Sequence, residues 1–237
     1  MEKTGIERVR AELRAQANPE KARALQRFFK TGPGEYGEGD VFLGTGMPAV
    51  RRLAARHKDL SAKDVQRLLA SPYHEERMIA LRILVRQYDR EDDAARDRIF
   101  RLYMKNRRRI NNWDLVDVTA RHIVGRHLMN RSRGALRRLA RSPSLWDRRI
   151  AVMSSFWFVR YGDFADTLAL AGMLLDDPED LIHKAVGWMR REVGKRNPAA
   201  AEGFLRLHYR RMPRTMLRYA IEKLPVEKRR RYLQGQI

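Results

Sequence analysis

A helical pattern that returns every 35 or 36 residues constrains this chain more than any other feature. Arg77, Trp113, Arg149 and Lys184 are separated by 36, 36 and 35 residues, each early in a helix that follows a shorter one. Three residues later stand Ala80, Val116, Val152 and Gly187, small or β-branched as a close helix contact requires; one further on stand Leu81, Asp117, Met153 and Trp188. Two helices per unit at this period read as an α-solenoid of HEAT or TPR type, in which each unit buries its apolar face against its neighbours. Apolar periodicity predicts helices over 5–17, 19–30, 47–57, 61–70, 74–90, 91–105, 112–128, 131–141, 145–160, 163–175, 179–196, 198–210, 213–223 and 226–233. The expected fold is all-α: a right-handed α-solenoid of HEAT-like repeats, one domain over residues 1–237.

Start signals support these boundaries. Asn18-Pro19, Ser61 before Ala62-Lys63-Asp64, and Asp177-Pro178-Glu179 each combine a capping acceptor or an N1 proline with an early carboxylate. One stretch departs from the pattern: six of the 15 glycines fall between Gly32 and Gly46. Glycine at that density denies a helix and predicts an exposed loop or a short β-hairpin.

The charge indicates the kind of partner. Lysine and arginine number 50 against 29 acidic residues, a net charge of +21, and 43% hydrophobic residues still allow a packed core. Such a field suits a polyanion, above all nucleic acid. Residues 1–100 carry 20 basic and 16 acidic side chains, net +4, whereas 101–237 carry 30 and 13, net +17, so the polyanion surface is expected mainly in the C-terminal half. With no cysteine, disulfides, thiolate zinc sites and a cysteine nucleophile are excluded. The six histidines lack ligand spacing and no metal or other cofactor is expected. The longest apolar run, Leu168 to Leu175, is far too short for a membrane span. A soluble cytoplasmic protein is expected, associated with the nucleoid when bound to DNA and working as a monomer.

Three constellations carry chemistry. In Asn111-Asn112-Trp113-Asp114-Leu115-Val116-Asp117, Leu115, Val116 and the following Val118 supply core contacts. Asp114 lies in a first helical turn, where the macrodipole favours it. Asp117 is mid-helix, a poor place for aspartate without a purpose; a structural salt bridge is the competing explanation. Residues i and i+4 share a helix face, which makes Trp113 and Asp117 neighbours, and the repeat register expects Trp188 beside them in a basic trough. Gly187, inside Lys184-Ala185-Val186-Gly187-Trp188-Met189-Arg190-Arg191, costs about 1 kcal/mol relative to alanine and so implies close packing or close approach of a ligand. Lys184, Arg190 and Arg191 are candidate phosphate clamps. Further basic clusters lie at Lys105–Arg109, Arg131–Arg141, Arg206–Arg218 and Lys228–Arg231; duplex DNA has the matching charge density.

On Trp113-Asp114-Leu115-Val116-Asp117, Leu145-Trp146-Asp147-Arg148-Arg149-Ile150-Ala151-Val152 and Lys184-Ala185-Val186-Gly187-Trp188-Met189-Arg190-Arg191-Glu192, the chain resembles the AlkD-like DNA glycosylases, HEAT-like repeat proteins that excise alkylated purines. The resemblance extends from Asn18-Pro19-Glu20-Lys21-Ala22 to the C-terminal helices. It implies that Asp117 is the catalytic aspartate and that Trp113 and Trp188 flank the lesion's deoxyribose. It further implies that Arg149 is a DNA contact, that Arg191 aligns with a basic residue after the second tryptophan and that Phe28 falls where AlkD has an aromatic; with Arg148, Lys184 and Arg190, these are the expected DNA-binding residues. The activity implied is monofunctional hydrolysis of the N-glycosidic bond of 3- and 7-alkylated purines, without a flipped-base pocket.

Two departures bear on that activity. Asn112 stands where AlkD has a further tryptophan, and the glycine-rich stretch is an insertion that looks more like the AlkF and AlkG branch. There a β-hairpin accompanies binding of branched DNA with little or no base excision, which would make Tyr36 and its loop a wedge. The alternatives are therefore a non-catalytic binder of branched or damaged DNA, and a solenoid scaffold for a protein partner. No lysine in the motif region is plainly a lyase nucleophile, although spacing leaves Lys105 and Lys184 open.

Overall fold

The computed structural model describes residues 4–237, and its regular elements are all helices, with no β-strand among those residues. They fall into two compact units, 4–119 and 120–237. No described helix is long and apolar enough to cross a membrane.

The first unit holds α1 (Gly5–Arg14), α2 (Pro19–Phe28), α3 (Met47–Arg56), α4 (Ala62–Leu69), α5 (His74–Arg90), α6 (Asp93–Lys105) and α7 (Trp113–Asp117). Caps fix where they begin. Asn18 and Ser61 accept backbone amides as the sequence predicts, Asp92 does the same for α6, and Thr4 forms a reciprocal capping box with Glu7. The apolar stripes Ile6-Val9-Leu13, Val50-Leu53 and Val65-Leu68-Leu69 are buried around α5, itself enclosed along most of its length.

In the second unit are α8 (Arg126–Leu128), α9 (Gly134–Ala140), α10 (Leu145–Ser154), α11 (Phe156–Arg160), α12 (Ala165–Met173), α13 (Asp180–Arg196), α14 (Pro198–His208), α15 (Arg214–Ile221) and α16 (Val226–Gln234). Its core gathers Ile150, Met153, Phe158, Val159, Ile182, Val186, Met189, Val193, Met216 and Leu217. Gly187 is there for packing: a Cβ at this position would lie 2.5 Å from both the Met216 carbonyl oxygen and Tyr219 Cβ, so glycine lets α13 and α15 touch backbone to backbone.

Two long predicted helices are broken, both where a hydroxyl competes for the helical carbonyls. The 112–128 helix divides into α7, a π-turn over Arg121–Gly125, and α8. Thr119 Oγ1 donates to the Leu115 carbonyl at 2.6 Å, and Gly125 lies so near the Ser154 carbonyl that a Cβ would come within 2.2 Å. The 145–160 helix breaks at Ser154–Ser155, whose hydroxyls donate to the carbonyls of Ile150 and Val152. The helix expected at 179 begins at Asp180; Asp177 accepts the Glu179 amide instead of capping.

No hairpin forms in the glycine-rich segment. Turns run from Gly32 to Gly39, followed by an extended stretch whose one β-type pairing is an isolated bridge between Val41 and Tyr73. It is fastened to α5: the Glu75 carboxylate accepts the amides of Leu43, Gly44 and Thr45 at 2.9, 2.9 and 3.2 Å, and the His74 amide donates to the Val41 carbonyl. Gly44 has φ +80°, and a Cβ there would sit 2.1 Å from the Asn18 carbonyl oxygen, so no other residue fits.

Candidate functional site

Helix α7 is five residues long, too short to hold itself in place by its own hydrogen bonds. Side chains on either side locate it. Asn112, fully buried, accepts the Trp113 amide and donates from Nδ2 to Asp40 at 3.3 Å. Leu115 and Val116 are driven into the core, which leaves Trp113, Asp114 and Asp117 half-buried at the edge of the unit. Trp113 and Asp117 stand one turn apart on this helix, as the spacing predicts.

The Trp113 indole begins a column of rings. It stacks on Phe29 at 5.2 Å, Phe29 stacks on Phe42 at 5.0 Å, and Phe42 stacks on His74 at 4.3 Å. Phe28 meets the indole edge-on at 6.2 Å while its own ring is 64% exposed, consistent in position with an expected surface contact.

At the end of the column His74 is held between two carboxylates. Nδ1 lies 2.7 Å from Asp40 Oδ2 and Nε2 lies 2.9 Å from Asp114 Oδ2. Burial disfavours the imidazolium, but the hydrogen bonds and charges of Asp114 and Asp40 outweigh it and push the His74 pKa up to about 9. Both ring nitrogens therefore donate at neutral pH. Burial likewise opposes ionisation of Asp40, yet His74 and Arg77 hold its carboxyl below the usual range. Arg77 Nη2 reaches Asp40 Oδ1 at 2.5 Å, and its Nη1 donates to the Ser71 and Pro72 carbonyls.

In the second unit, Trp188 is half-buried on α13 and donates from Nε1 to Glu192 at 3.3 Å. Burial would raise the Glu192 pKa, but Lys195, Arg196 and Trp188 keep it low and the side chain anionic. The Phe156 ring lies 6.4 Å from Trp188 and carries guanidiniums of Arg121 and Arg196 over it at 5.3 and 6.0 Å.

The basic residues singled out by sequence divide sharply. Lys184 is substantially exposed and paired with Asp180 at 2.7 Å. Arg191 is mostly covered and pairs with Glu222. Arg148 is structural: it grips Asp177 at 2.6 Å and the carbonyls of Ser142 and Pro143. Arg149 is 4% exposed and donates to the Leu181 carbonyl. Arg190 departs furthest from a phosphate clamp, at 1% exposure, with its guanidinium 4.2 Å over Phe204 and donating to the Ala201 carbonyl. Burial draws its pKa down to about 10, so it remains charged at neutral pH but out of reach of a phosphate. Tyr36 is no projecting wedge either: it is half-buried and its hydroxyl donates to the Phe28 carbonyl at 3.5 Å.

The hydrogen bonds also correct the repeat register. Arg77, Arg148 and His183 each bond the carbonyl six residues earlier, of Ser71, Ser142 and Asp177. The equivalent of Arg77 is thus Arg148, not Arg149, and Met78 takes the place beside Trp113, Arg149 and Lys184. Asp117, Met153 and Trp188 keep their equivalence.

Several residues escape sequence reasoning. Asp40 and Phe42 lie in a stretch whose glycines draw all the attention, and His74 has no ligand spacing; only the acidic-histidine pairing across 34 residues marks them. A second group surrounds Trp157, with the guanidiniums of Arg126 and Arg160 each 5.7 Å from its ring and the 58% exposed Tyr161 at 5.6 Å. The signal in the sequence is Phe156-Trp157-Phe158-Val159-Arg160-Tyr161, aromatics interleaved with a cation, where periodicity alone predicts only a helix.

A DNA alkylation repair enzyme family model matches residues 9–224. No curated protein matches the chain. Among solved structures, one described as a predicted DNA alkylation repair enzyme from Enterococcus faecalis superimposes with a TM-score of 0.69 at 17% identity, covering 89% of this chain and 98% of that one, which establishes a shared fold. With the family model spanning nearly its whole length, the chain belongs to the DNA alkylation repair enzyme family.

Proposed function

We propose that the protein is a monofunctional DNA glycosylase that removes cationic 3- and 7-alkylated purines from duplex DNA. The observation that carries this reading is Asp117: a half-buried carboxylate, one turn from an indole, on a short helix secured from both sides. Alkylation at ring nitrogen 3 or 7 makes the purine a good leaving group without protonation. What the protein must supply is stabilisation of the oxocarbenium-like sugar and placement of a water.

Asp117 fits that role in magnitude. A carboxylate about 4 Å from the sugar cation at an effective dielectric near 20 is worth roughly 4 kcal/mol, about a thousandfold in rate. Trp113 is assigned as an indole face for the sugar, adding about 0.5–2 kcal/mol of cation-π attraction; the resemblance to AlkD-like glycosylases gives Trp188 the same role. Lys184 and the Arg126–Trp157–Arg160–Tyr161 group are assigned to DNA binding, consistent with the net +17 of residues 101–237, and Phe28 is assigned with them on its exposure.

Binding of branched DNA without excision is the second reading, and Tyr36 speaks against it as a wedge, since its side chain is half-buried and its hydroxyl donates to the Phe28 carbonyl. Incubation with duplex bearing 7-methylguanine, followed by alkaline cleavage at abasic sites, tests the choice. Cleavage at the modified base is expected; intact strands, with junction DNA bound tightly, would favour the binder.

A further inference from the structure

We propose that the glycine-rich segment 31–46 is a brace for the candidate catalytic helix, in which His74 acts as a positioning residue that ties Asp40 of the segment to Asp114 of α7 and so fixes Trp113 and Asp117. The catalytic part of this inference rests on the glycosylase reading; the positional part does not.

The segment reaches α7 by two independent routes. The polar route runs through charge: Asp40 receives His74 Nδ1, Arg77 Nη2 and Asn112 Nδ2 on its two oxygens, while His74 Nε2 continues to Asp114. The apolar route is the ring column, in which Phe42 of the segment lies between His74 and Phe29, with Trp113 on the far side of Phe29. Both routes end on adjacent residues of one helix, Trp113 and Asp114, four and three positions before Asp117.

The charged groups around His74 are few and arranged to one end. Asp40 faces it from the segment and Asp114 from α7, and Arg77 on its own helix balances Asp40. Arg82 contributes a weaker field at Asp114. Glu75 and Glu76 are turned to other partners, the amides of residues 43–45 and Arg10 with Arg14. Each hydrogen bond of the relay needs its proton, so an imidazolium joins the segment to α7 and a neutral ring can hold one carboxylate only. Glycine at 37 serves the same purpose, because a Cβ there would lie 2.5 Å from the Phe29 carbonyl oxygen and force the segment off the column.

The test uses the full-length protein and two readouts. In NMR spectra from pH 7 to 10, the Trp113 indole N–H resonance should move with the same midpoint as the His74 ring, and His74→Gln should abolish that movement. In single-turnover excision of 7-methylguanine at saturating DNA, His74→Gln should lower the rate tenfold or more, remove the fall in rate at alkaline pH, and change duplex affinity less than twofold. Asp114→Asn, which retains the shape of the site, should behave alike and covers a fold too fragile for the histidine change. A Trp113 resonance indifferent to His74 in both variants would overturn the brace. Coupled Trp113 and His74 titrations in a native protein that excises nothing would uphold the brace and count against the glycosylase.

Discussion

His74 on α5 and Asp114 on α7 meet at 2.9 Å, and the other nitrogen of the same ring meets Asp40 at 2.7 Å. A buried imidazolium between two carboxylates makes stability depend on pH in a defined direction. The unfolded ring loses its proton near pH 6.5 and the folded one near 9, so between these values only the native state holds it. The contribution is fully present below pH 6.5 and declines as pH rises to about 9. Asp40, whose folded pKa is depressed, acts in the opposite window and loses its contribution as pH falls below the ordinary carboxylate range. Urea melts of the native protein and His74→Gln across pH 6–10 should converge at the alkaline end. A constant difference between them would contradict this assignment.

Gly187 is predicted to be intolerant for packing reasons alone. Gly187→Ala places a methyl group 2.5 Å from a carbonyl oxygen of α15 and should destabilise by about 1–3 kcal/mol, as overpacking does, despite alanine's better helix propensity. Thermal melting checks this; an unchanged or raised Tm would show that α13 and α15 are free to separate.

Arg190 and Lys184 should separate stability from DNA binding. Arg190→Ala removes a buried guanidinium stacked on Phe204 and is expected to cost roughly 3 kcal/mol of stability with little effect on the salt dependence of binding. Lys184→Ala should leave Tm unchanged, weaken duplex binding uniformly across sequences and reduce the log-log salt slope by about 1. A native slope near −5, for about six neutralised phosphates, is the baseline. Reversed roles for the two residues would refute the placement of Arg190 in the core.

Much of this architecture is legible in the sequence because helical periodicity and caps are local signals: Asn18, Ser61 and the stripes of α1, α3 and α4 settle their helices without tertiary help. Breaks at Thr119 and Ser154–Ser155 are harder, since a hydroxyl on a helix announces neither a bend nor its absence. In the candidate site, Trp113 and Asp117 are found by spacing. His74, Asp40 and Phe42 are not, because their meeting depends on how a glycine-rich segment folds back on α5. Charge counting fails for the same reason at Arg148, Arg149 and Arg190, whose guanidiniums serve carbonyls, a carboxylate and a ring inside the protein rather than phosphates outside it.

The most direct test is single-turnover release of 7-methylguanine from a defined duplex by the native protein and by Asp117→Asn. Loss of a carboxylate charge worth about 3–4 kcal/mol predicts release by the variant slowed a hundredfold or more, with duplex affinity retained. Equal release by both proteins would remove Asp117 from the chemistry, and no release by either, with DNA still bound, would contradict the glycosylase itself.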